Sequence, residues 1–532
     1  MDSVPEGGAA RKWLLTAAER GNPATEIDRR EPDDAAWSVN NQVRILVDGQ
    51  EYFHRLLSEL ADTTAGDQVY LSAFIGDPTQ RLQAAGPSIG AECARALDAG
   101  VIVRGLFWCQ YLDVRKDFVP QNRSFVDLLY RLGGFAVLDQ RIRAFGAHHQ
   151  KFVVIRRPGR PDSDVALIGG IDPCPSRRDD SHHHGDPQVL PSIARVYGSR
   201  PAWHDAHLAV RGPAVAAVEH CFRERWHDTT SSRRQPFHGL REKFRTNKRG
   251  RIALPNQLPA PPRCGSHAVQ LLRTYPSKIP RYPFAPRGEV SIARGYVKAL
   301  RNARRFIYVE DQFLWSPMVA EVFAEALRRE PALRMVAVLP SRPDKAGKVH
   351  VATSDVAHRK ALDLLHAAGG DRLDVYELEN TEGLPIYVHS KVCVVDDVWS
   401  TVGSANLNRR SWTYDSELTA AVVDESCPDG SRSHGFAQDL RLRLLREHLG
   451  RDADDVEDLV DPEQAAAVLR RSATALDEWH ASGRTSTRPP GHLRFHPRPR
   501  VSKLTRAWAG PLGRVVIDPD GQPPWRRGRE RW

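Results

Sequence analysis

The sequence predicts an α/β fold of two similar lobes, each an α/β/α sandwich, packed around a pseudo-two-fold axis. Two H-x-K triplets, His149-Gln150-Lys151 and His389-Ser390-Lys391, lie 240 residues apart. Each triplet opens a run rich in β-branched residues, and a glycine-centred segment follows each run. One triplet could arise by chance, but two copies with matching sequels indicate an internal duplication with one shared active site.

The elements that precede each triplet also correspond. Both halves contain a strand pattern, a helical stretch and a second strand pattern in the same order. Tyr70 precedes His149 by 79 residues, and Tyr308 precedes His389 by 81. Strands that alternate with amphipathic helices predict a sheet with helices on its faces. The segments are 68–75, 91–99 and 101–107 in the first half, and 306–313, 318–329 and 334–339 in the second.

These patterns place the two lobes at residues 38–227 and 266–450. Residues 1–37 are polar and punctuated by Gly and Pro, which predicts a loose N-terminal arm. Residues 228–265 are predicted to form a basic, Pro-containing linker. Residues 451–532 are predicted to form a helix followed by a basic tail rich in Pro and Arg.

The composition is that of a globular protein with a net positive charge. Hydrophobic residues make up 41% of the 532 residues, and the formal net charge is +10. This charge favours an anionic partner, either a nucleic acid or an anionic membrane surface, although an Arg- and Ala-rich source genome would also produce it. No run approaches the ~18 apolar residues that a membrane-spanning helix needs. We therefore expect a cytoplasmic protein, with peripheral membrane contact left open.

Cysteine and histidine usage gives no sign of a metal centre. The seven cysteines form no C-x-x-C pair, which argues against a disulfide framework or a structural zinc site. The run His182-His183-His184 lies in a polar stretch, and we interpret it as an exposed loop. We expect no metal and no cofactor.

The triplets themselves suggest phosphodiester chemistry. Side chains alternate along a strand with period 2, so the His and Lys of each triplet point the same way. One neutral imidazole can attack phosphorus while the other, protonated, donates to the leaving alkoxide. Two lysines can stabilise the charge on the phosphoryl oxygens. None of these steps needs a metal.

Both triplets resemble the H-x-K-x4-D motif of the phospholipase D superfamily. The second copy is complete, with His389, Lys391 and Asp396, whereas the first has Arg156 where the motif has Asp. That Asp is a supporting residue in the family, and Asp162 or Asp164 in the following loop are candidates to replace it.

Further segments resemble the eukaryotic-type phospholipases D. They are Gly169-Gly170-Ile171-Asp172, Trp203-His204-Asp205 and Tyr308-Val309-Glu310-Asp311-Gln312, where Asp311 replaces the Asn of that group. We interpret His204 as structural, with its side chain bonded to local backbone. The resemblance covers residues 40–450 and implies the duplicated phospholipase D fold.

The resemblance also implies a role for each candidate site residue. His149 is expected to be the nucleophile that forms a phosphohistidine, and His389 the general acid and base. Lys151, Lys391 and Asn406 are expected to hold the phosphate, with Ser404, Gly170 and Asp172 also at the substrate. Asp179, with Asp180 as the alternative, and Glu417 are expected behind the two imidazoles, and Asp396 completes the catalytic set.

The implied activity is hydrolysis of phosphatidylcholine-like glycerophospholipids to phosphatidic acid and a headgroup, with transphosphatidylation also open. The expected partner is phospholipid at a membrane surface, with no stable nucleic-acid complex, and the expected state is a monomer. The alternatives are a cardiolipin-synthase-like phosphatidyltransferase, a nucleic-acid phosphodiesterase and a non-catalytic lipid-binding relative.

Overall fold

The computed structural model describes residues 8–109, 119–143, 145–190, 193–228, 252–343, 348–425, 435–513 and 517–522. Its strands are β1 Ser38–Val47, β2 Gln68–Ala73, β3 Ile102–Trp108, β4 Phe135–Asp139, β5 Phe152–Arg156, β6 Val165–Gly169, β7 Ala202–His204, β8 Ala206–Arg211, β9 His267–Tyr275, β10 Glu289–Val290, β11 Phe306–Asp311, β12 Arg334–Val338, β13 Leu373–Glu379, β14 Pro385–Val388, β15 Lys391–Val395, β16 Trp399–Gly403, β17 Glu417–Asp424 and β18 Leu493–Phe495.

Its α-helices are α1 Gly8–Trp13, α2 Ala17–Arg20, α3 Asp48–Ala61, α4 Ile89–Asp98, α5 Val119–Arg131, α6 Ala214–His227, α7 Ser291–Asn302, α8 Pro317–Arg329, α9 Lys348–Gly369, α10 Arg409–Thr413, α11 Phe436–His448, α12 Glu457–Val460, α13 Pro462–Ala481 and α14 Lys503–Leu512. Among the described residues, no helix is both long enough and apolar enough to cross a membrane.

The strands form two sheets with the same internal order. The first runs β4-β3-β2-β5-β6-β8-β1, and the second runs β13-β12-β11-β15-β16-β17-β9. Strands β2, β3 and β4 of the first sheet are parallel, as are β11, β12 and β13 of the second, because crossover helices return the chain to the same edge. The remaining strands are antiparallel. The predicted duplicated α/β fold is confirmed.

Helix α4 shows how a crossover helix is specified locally. The Ser88 side chain accepts a hydrogen bond from Ala91 N at 3.2 Å and so caps the first turn. Ile89, Cys93 and Ala96 follow at helical spacing, and all three are fully buried against strands β2 and β3. The helix therefore covers the outer face of the first sheet.

The two lobes share one core. Buried residues from the inner faces of both sheets, including Val154 and Ile168 in the first and Val394 and Val402 in the second, belong to a single cluster. Strand β1 also pairs with β9, and β7 pairs in parallel with β14. The segment that carries Trp203 and His204 therefore reaches into the second sheet.

The prediction of a loose N-terminal arm is wrong for residues 8–37. Trp13, Leu14 and Leu15 are buried against helix α7 and strand β9. The Gln270 side chain accepts from Leu15 N at 3.0 Å and donates to Leu15 O at 2.7 Å. The short apolar run is long enough to dock onto a neighbouring surface although it is too short to form a core by itself.

The segments after each lobe pack back onto the structure. Residues 252–263 run along α6, where Trp226 Nε1 donates to Ile252 O at 3.0 Å. Residues 229–251 of the predicted linker lie outside the described residues. In the C-terminal region β18 extends the second sheet beside β13, and α14 packs on α9.

Candidate active site

Both H-x-K triplets lie at the junction of the two lobes. Strands β5 and β15 are antiparallel to β2 and β11, so each triplet lies beside the loop that follows a parallel strand. His149 N donates to Ser416 O at 2.9 Å, and His389 N donates to His204 O at 2.8 Å. Each triplet is therefore hydrogen-bonded to the opposite lobe.

Each imidazole is held by a carboxylate from the opposite lobe. His149 Nδ1 lies 2.9 Å from Glu417 Oε2, and His389 Nδ1 lies 2.6 Å from Asp205 Oδ2. The two carboxylates occupy equivalent positions in the two sheets. Gly169 pairs with His207, two residues after Asp205. Gly403 pairs with Thr419, two residues after Glu417. With Nδ1 engaged, Nε2 of each ring is the nitrogen available for chemistry.

The expectation that Asp179 supports a catalytic histidine is wrong. Asp179 Oδ2 accepts from Trp203 N at 2.8 Å, and Oδ1 accepts from Gly185 N at 2.9 Å and Asp180 N at 3.0 Å. Asp179 thus orders the backbone that leads into β7. The signal that could have identified Asp205 is its symmetry with Glu417. Each carboxylate stands at, or one residue before, the start of the strand that pairs with the glycine-ended strand of its own sheet.

The two lysines point into the same region and have different partners. Lys151 Nζ lies 3.3 Å from Asp172 Oδ2 and donates to His149 O at 3.0 Å. Lys391 Nζ donates to His389 O and, at 3.2 Å, to Gln312 Oε1. Burial lowers the pKa of Lys391 to about 8. Both ammoniums are placed to meet an anionic group between the imidazoles.

Ser404, Gly170 and Asp172 are expected at the substrate, but in the structure they contact or make room for the residues that support the imidazoles and Lys151. Ser404 Oγ donates to Glu417 Oε2 at 2.6 Å. A Cβ on Gly170 would lie 2.1 Å from Asp205 Oδ1, so only glycine leaves room for that carboxylate. Asp172 Oδ1 accepts from Phe74 N at 2.9 Å and Ile75 N at 3.1 Å, while its other oxygen faces Lys151. Asn406 Oδ1 is buried without a hydrogen-bond partner among the described residues.

Asp396 lies away from the imidazoles, at the far end of β15 from His389. It accepts from the backbone N–H groups of Arg304, Arg305 and Phe306 at 2.7, 2.8 and 2.9 Å. Its place in the predicted catalytic set is therefore wrong: it ties β15 to the turn that leads into β11.

The first motif copy replaces this arrangement with buried ion pairs. Arg156 Nε lies 2.7 Å from Asp164 Oδ2, and Arg156 Nη1 pairs with Glu219. Asp164 Oδ1 also accepts from Arg157 N at 2.5 Å. Of the two predicted substitutes, Asp164 is thus the one that binds Arg156. The difference lies at the strand end remote from His149.

Burial governs protonation in the site. It holds the pKa of His149 well below its ordinary value, with Lys151 as the next cause. Burial, Lys391 and Arg177 hold the pKa of His389 well below its ordinary value. Burial also raises the pKa of Glu417 to about 7. The neutral imidazole is therefore favoured at both positions in the unliganded site, which suits the nucleophile, and the histidine that acts as the acid gains its proton once an anionic phosphodiester lies between the two rings.

The two halves of the site have different walls. The Phe74 and Trp108 rings stack at 4.7 Å, and Phe74 meets the His149 ring edge-on at 5.0 Å. On the other side Trp203 lies 4.8 Å from the His389 ring, and the Arg177 guanidinium lies 3.6 Å from the Trp203 ring centroid. The wall beside His149 is therefore more apolar than the wall beside His389.

A buried cluster of histidines and carboxylates adjoins His389. His204 Nε2 lies 2.9 Å from Glu310 Oε2, and its Nδ1 lies 3.1 Å from both Asp48 Oδ1 and Glu447 Oε1. The predicted structural role of His204 thus rests on carboxylates and not on local backbone. His183 is fully buried in this cluster, so the interpretation of residues 182–184 as an exposed loop is wrong for it.

This cluster offers a donor set that a divalent cation could use. Ligand atoms of Asp48, His183, His204 and Glu447 all lie within 4.8 Å of one another. Imidazole nitrogens combined with carboxylate oxygens suit several divalent metals. The set lies behind His389 and connects the two lobes.

Comparison with known proteins places this geometry in a family. The family model described as phospholipase D matches residues 35–319 and 367–502. The chain belongs to the phospholipase D family. A second model, described as the phospholipase D-like domain of cardiolipin synthase, matches residues 296–433. Membership confirms the predicted resemblance and the predicted enzyme class, a phospholipase D-type phosphodiesterase.

The curated relatives include several plant enzymes. Phospholipase D alpha 2 of Oryza sativa subsp. japonica is 26% identical over 88% of this chain and 67% of its own length. Phospholipase D alpha 1 of Cynara cardunculus is 27% identical over 92% of this chain and 76% of its length. For phospholipase D alpha 1 of Ricinus communis the match is 26% over 69% of this chain and only 56% of the relative. This chain therefore spans between 56% and 76% of the length of these relatives.

Among solved structures, phosphatidylserine synthase of Haemophilus influenzae Rd KW20 aligns with a TM-score of 0.49 at 13% identity. The alignment covers 83% of this chain and 94% of that one.

Proposed function

We propose that the protein hydrolyses glycerophospholipids to phosphatidic acid and a free headgroup through a phosphohistidine. The observation that carries this proposal is the pair of imidazoles, each oriented through Nδ1 by a buried carboxylate of the other lobe. A lysine accompanies each imidazole. This arrangement supplies a nucleophile, a proton donor and cationic groups within one site.

In the first step, His149 Nε2 attacks phosphorus and forms the P–N bond while the bond from phosphorus to the headgroup oxygen breaks. The departing oxygen takes a proton from His389, which is an imidazolium in the substrate complex because the bound anionic phosphodiester favours the charged ring. In the second step a water gives a proton to His389 and attacks phosphorus. The P–N bond then breaks, which releases phosphatidic acid and regenerates neutral His149. An alcohol in place of water gives transphosphatidylation.

The supporting carboxylates favour this division of roles. His389 has the shorter contact, 2.6 Å to Asp205, and a carboxylate at that distance stabilises an imidazolium. Burial raises the pKa of Glu417 to about 7, so Glu417 is partly protonated near neutrality and stabilises a charged His149 less. The Asp205 contact therefore favours His389 as the carrier of the proton once the substrate phosphate offsets the nearby cations Lys391 and Arg177.

A lipid with a p-nitrophenyl headgroup tests the order of events, because this group departs without a proton. We expect His389→Ala to release about one equivalent of p-nitrophenol per enzyme and then stall, because the second step lacks its base. We expect no release from His149→Ala. A burst in His149→Ala that is absent from His389→Ala would reverse the roles.

Vesicles of phosphatidylcholine with and without ethanol test the substrate class. Choline release, together with phosphatidylethanol when ethanol is present, supports the proposal. The match of residues 296–433 to the cardiolipin synthase-type model keeps transfer to a lipid alcohol as a second candidate, which predicts product only when such an alcohol is supplied. Cleavage of DNA without any lipid turnover would overturn both.

A further inference from the structure

We propose that two adjacent loop tips beside His149 dock the protein onto the surface of an anionic lipid bilayer. The surface, here named the docking rim, consists of Arg143, Phe145, Ile279 and Arg281. This inference rests on the proposed function, because it supplies the way in which a bilayer-borne substrate meets the site.

The rim is linked to the first triplet along the chain and through neighbouring residues. Phe145 lies four residues before His149, and its carbonyl accepts a hydrogen bond from Arg410. Arg143 Nη1 donates to Ser277 O at 3.3 Å, which joins the two loops. Gln150, the middle residue of the first triplet, donates from Nε2 to Tyr275 OH at 2.9 Å, at the start of the second loop. The first tip therefore leads directly into the first triplet, on the side of the site where the wall is apolar, and the second tip is held against the first.

Both tips present apolar side chains to solvent. Phe145 is 71% exposed and Ile279 is 73% exposed, whereas Ala147 and Tyr282 in the same loops are buried. Phe145 also has a φ of 63°, a conformation that bulky residues rarely adopt. Single exposed apolar residues are common on protein surfaces, but two large ones on touching loops beside a site indicate an interaction surface.

The charge around these tips complements an anionic surface. The loops 141–147 and 276–288 together contain Arg141, Arg143, Lys278, Arg281 and Arg287 and no Asp or Glu. Arg141 is neutralised by Asp139 at 2.9 Å and Lys278 is buried, with Nζ donating to Pro280 O at 2.8 Å, whereas Arg281 and Arg287 are exposed. Each exposed cation near an anionic membrane adds to its attraction for the surface. Apolar tips within a cationic collar match the chemistry of an anionic bilayer interface.

Helix α14 is the competing surface. Leu504 is 78% exposed and Trp508 is 45% exposed, one turn apart on the same face. Lys503 and Arg506 flank this face. The helix packs on α9 through Gly510 and has no described contact with His149 or His389. The docking rim is favoured because docking there brings the site itself to the lipid.

The test compares two paired variants of the full chain. Phe145→Ser with Ile279→Ser removes the tips, and Leu504→Ser with Trp508→Ser is the matched control on α14. Binding is measured by sedimentation with sucrose-loaded vesicles, either of phosphatidylcholine alone or of phosphatidylcholine mixed with phosphatidylglycerol. Activity is measured on the same vesicles and on monomeric dihexanoylphosphatidylcholine.

We expect the rim variant to lose about tenfold or more in binding to the anionic vesicles and in vesicle hydrolysis, because it removes both apolar side chains from the interface. Hydrolysis of the monomeric lipid should not change. Wild-type binding should weaken with salt and in vesicles without phosphatidylglycerol. Arg281→Glu should weaken binding to anionic vesicles only.

Normal vesicle binding by the rim variant would overturn the docking rim. Loss of binding in the α14 variant alone would transfer docking to that helix and would also overturn it. If the wild type hydrolyses neither lipid, the proposed function fails, but the sedimentation result still decides whether the rim binds a bilayer.

Discussion

At the residue scale, Asp205 and Glu417 carry a role that neither H-x-K motif shows. Each contacts the Nδ1 atom of an imidazole from the other lobe, at 2.6 Å for Asp205 and 2.9 Å for Glu417. A carboxylate in this position selects the tautomer that exposes Nε2 and stabilises the imidazolium that forms during proton transfer. The two residues are thus positioning residues for the proposed reaction.

We expect Asp205→Asn and Glu417→Gln each to lower kcat by about 10²-fold or more, because an amide holds the wrong tautomer and no charge. Steady-state hydrolysis of phosphatidylcholine measures the effect, and circular dichroism checks the fold. Asp180→Asn is the matched control, because Asp180 accepts a hydrogen bond from His182 N in the neighbouring loop and contacts neither imidazole. A wild-type kcat in Asp205→Asn would contradict the assignment.

Lys391 gives a prediction for pH dependence. Burial lowers its pKa to about 8, so its ammonium is present below that pH and is lost as the pH rises through it. We therefore expect kcat/KM to fall above pH ~8, because this parameter reports ionisations of the free enzyme. In Lys391→Arg the fall of kcat/KM should begin at a higher pH, since the guanidinium stays charged. An unchanged alkaline limb in that variant would exclude Lys391 as its source.

At the element scale, strand β15 has the catalytic pair of the second triplet at its start and a residue with a purely structural role at its end. His389 and Lys391 lie at its start, and Asp396 follows its last residue with a φ of 53°. Two of the three backbone N–H groups that Asp396 binds belong to the turn after α7, and the third belongs to Phe306, the first residue of β11. The motif therefore combines a reactive pair with a connector to the neighbouring strand.

We expect Asp396→Ala to lower the free energy of unfolding by about 1–3 kcal/mol, because three N–H groups lose their acceptor. The kcat of the folded enzyme should stay near the wild-type value. Urea denaturation and kinetics on the same samples separate the two effects. Asp371→Ala, at an exposed position, is the control for stability. A large loss of kcat with unchanged stability would return Asp396 to the catalytic set.

At the scale of the whole molecule, segments outside the two lobes complete the core. Leu14 is fully buried in the cluster that also contains Leu272 and Leu300. Arg20 lies 2.7 Å from Glu289, and both side chains are fully buried. The N-terminal segment is thus part of the second lobe although it precedes the first in the chain.

We expect Leu14→Ala to lower the free energy of unfolding by about 2–5 kcal/mol, the usual cost of a cavity at a fully buried leucine. Lys12→Ala, two residues away and exposed, should change it by less than about 0.5 kcal/mol. Chemical denaturation compares the two variants. Equal stability for both would mean that this segment is the loose arm that its composition suggests.

The sequence predicts the parts of this protein that repeat. The paired triplets, the 79- and 81-residue spacings and the alternating strands and helices suffice for the duplicated fold and for His149, Lys151, His389 and Lys391. These features are visible because strand and helix periodicity are local properties of the chain. The family resemblance also predicts Glu417 behind an imidazole.

Contacts between the lobes required the tertiary structure. Asp205 lies 184 residues from His389, and the sequence between them does not reveal that they meet. The family resemblance leads to Glu417 for one histidine but to Asp179 for the other, because only the fold shows that Asp205, and not Asp179, reaches His389. The same reason applies to Leu14, whose partners Leu272 and Leu300 are remote in sequence. Local patterns determined the halves of the site, and packing between the lobes decided which carboxylate serves each histidine.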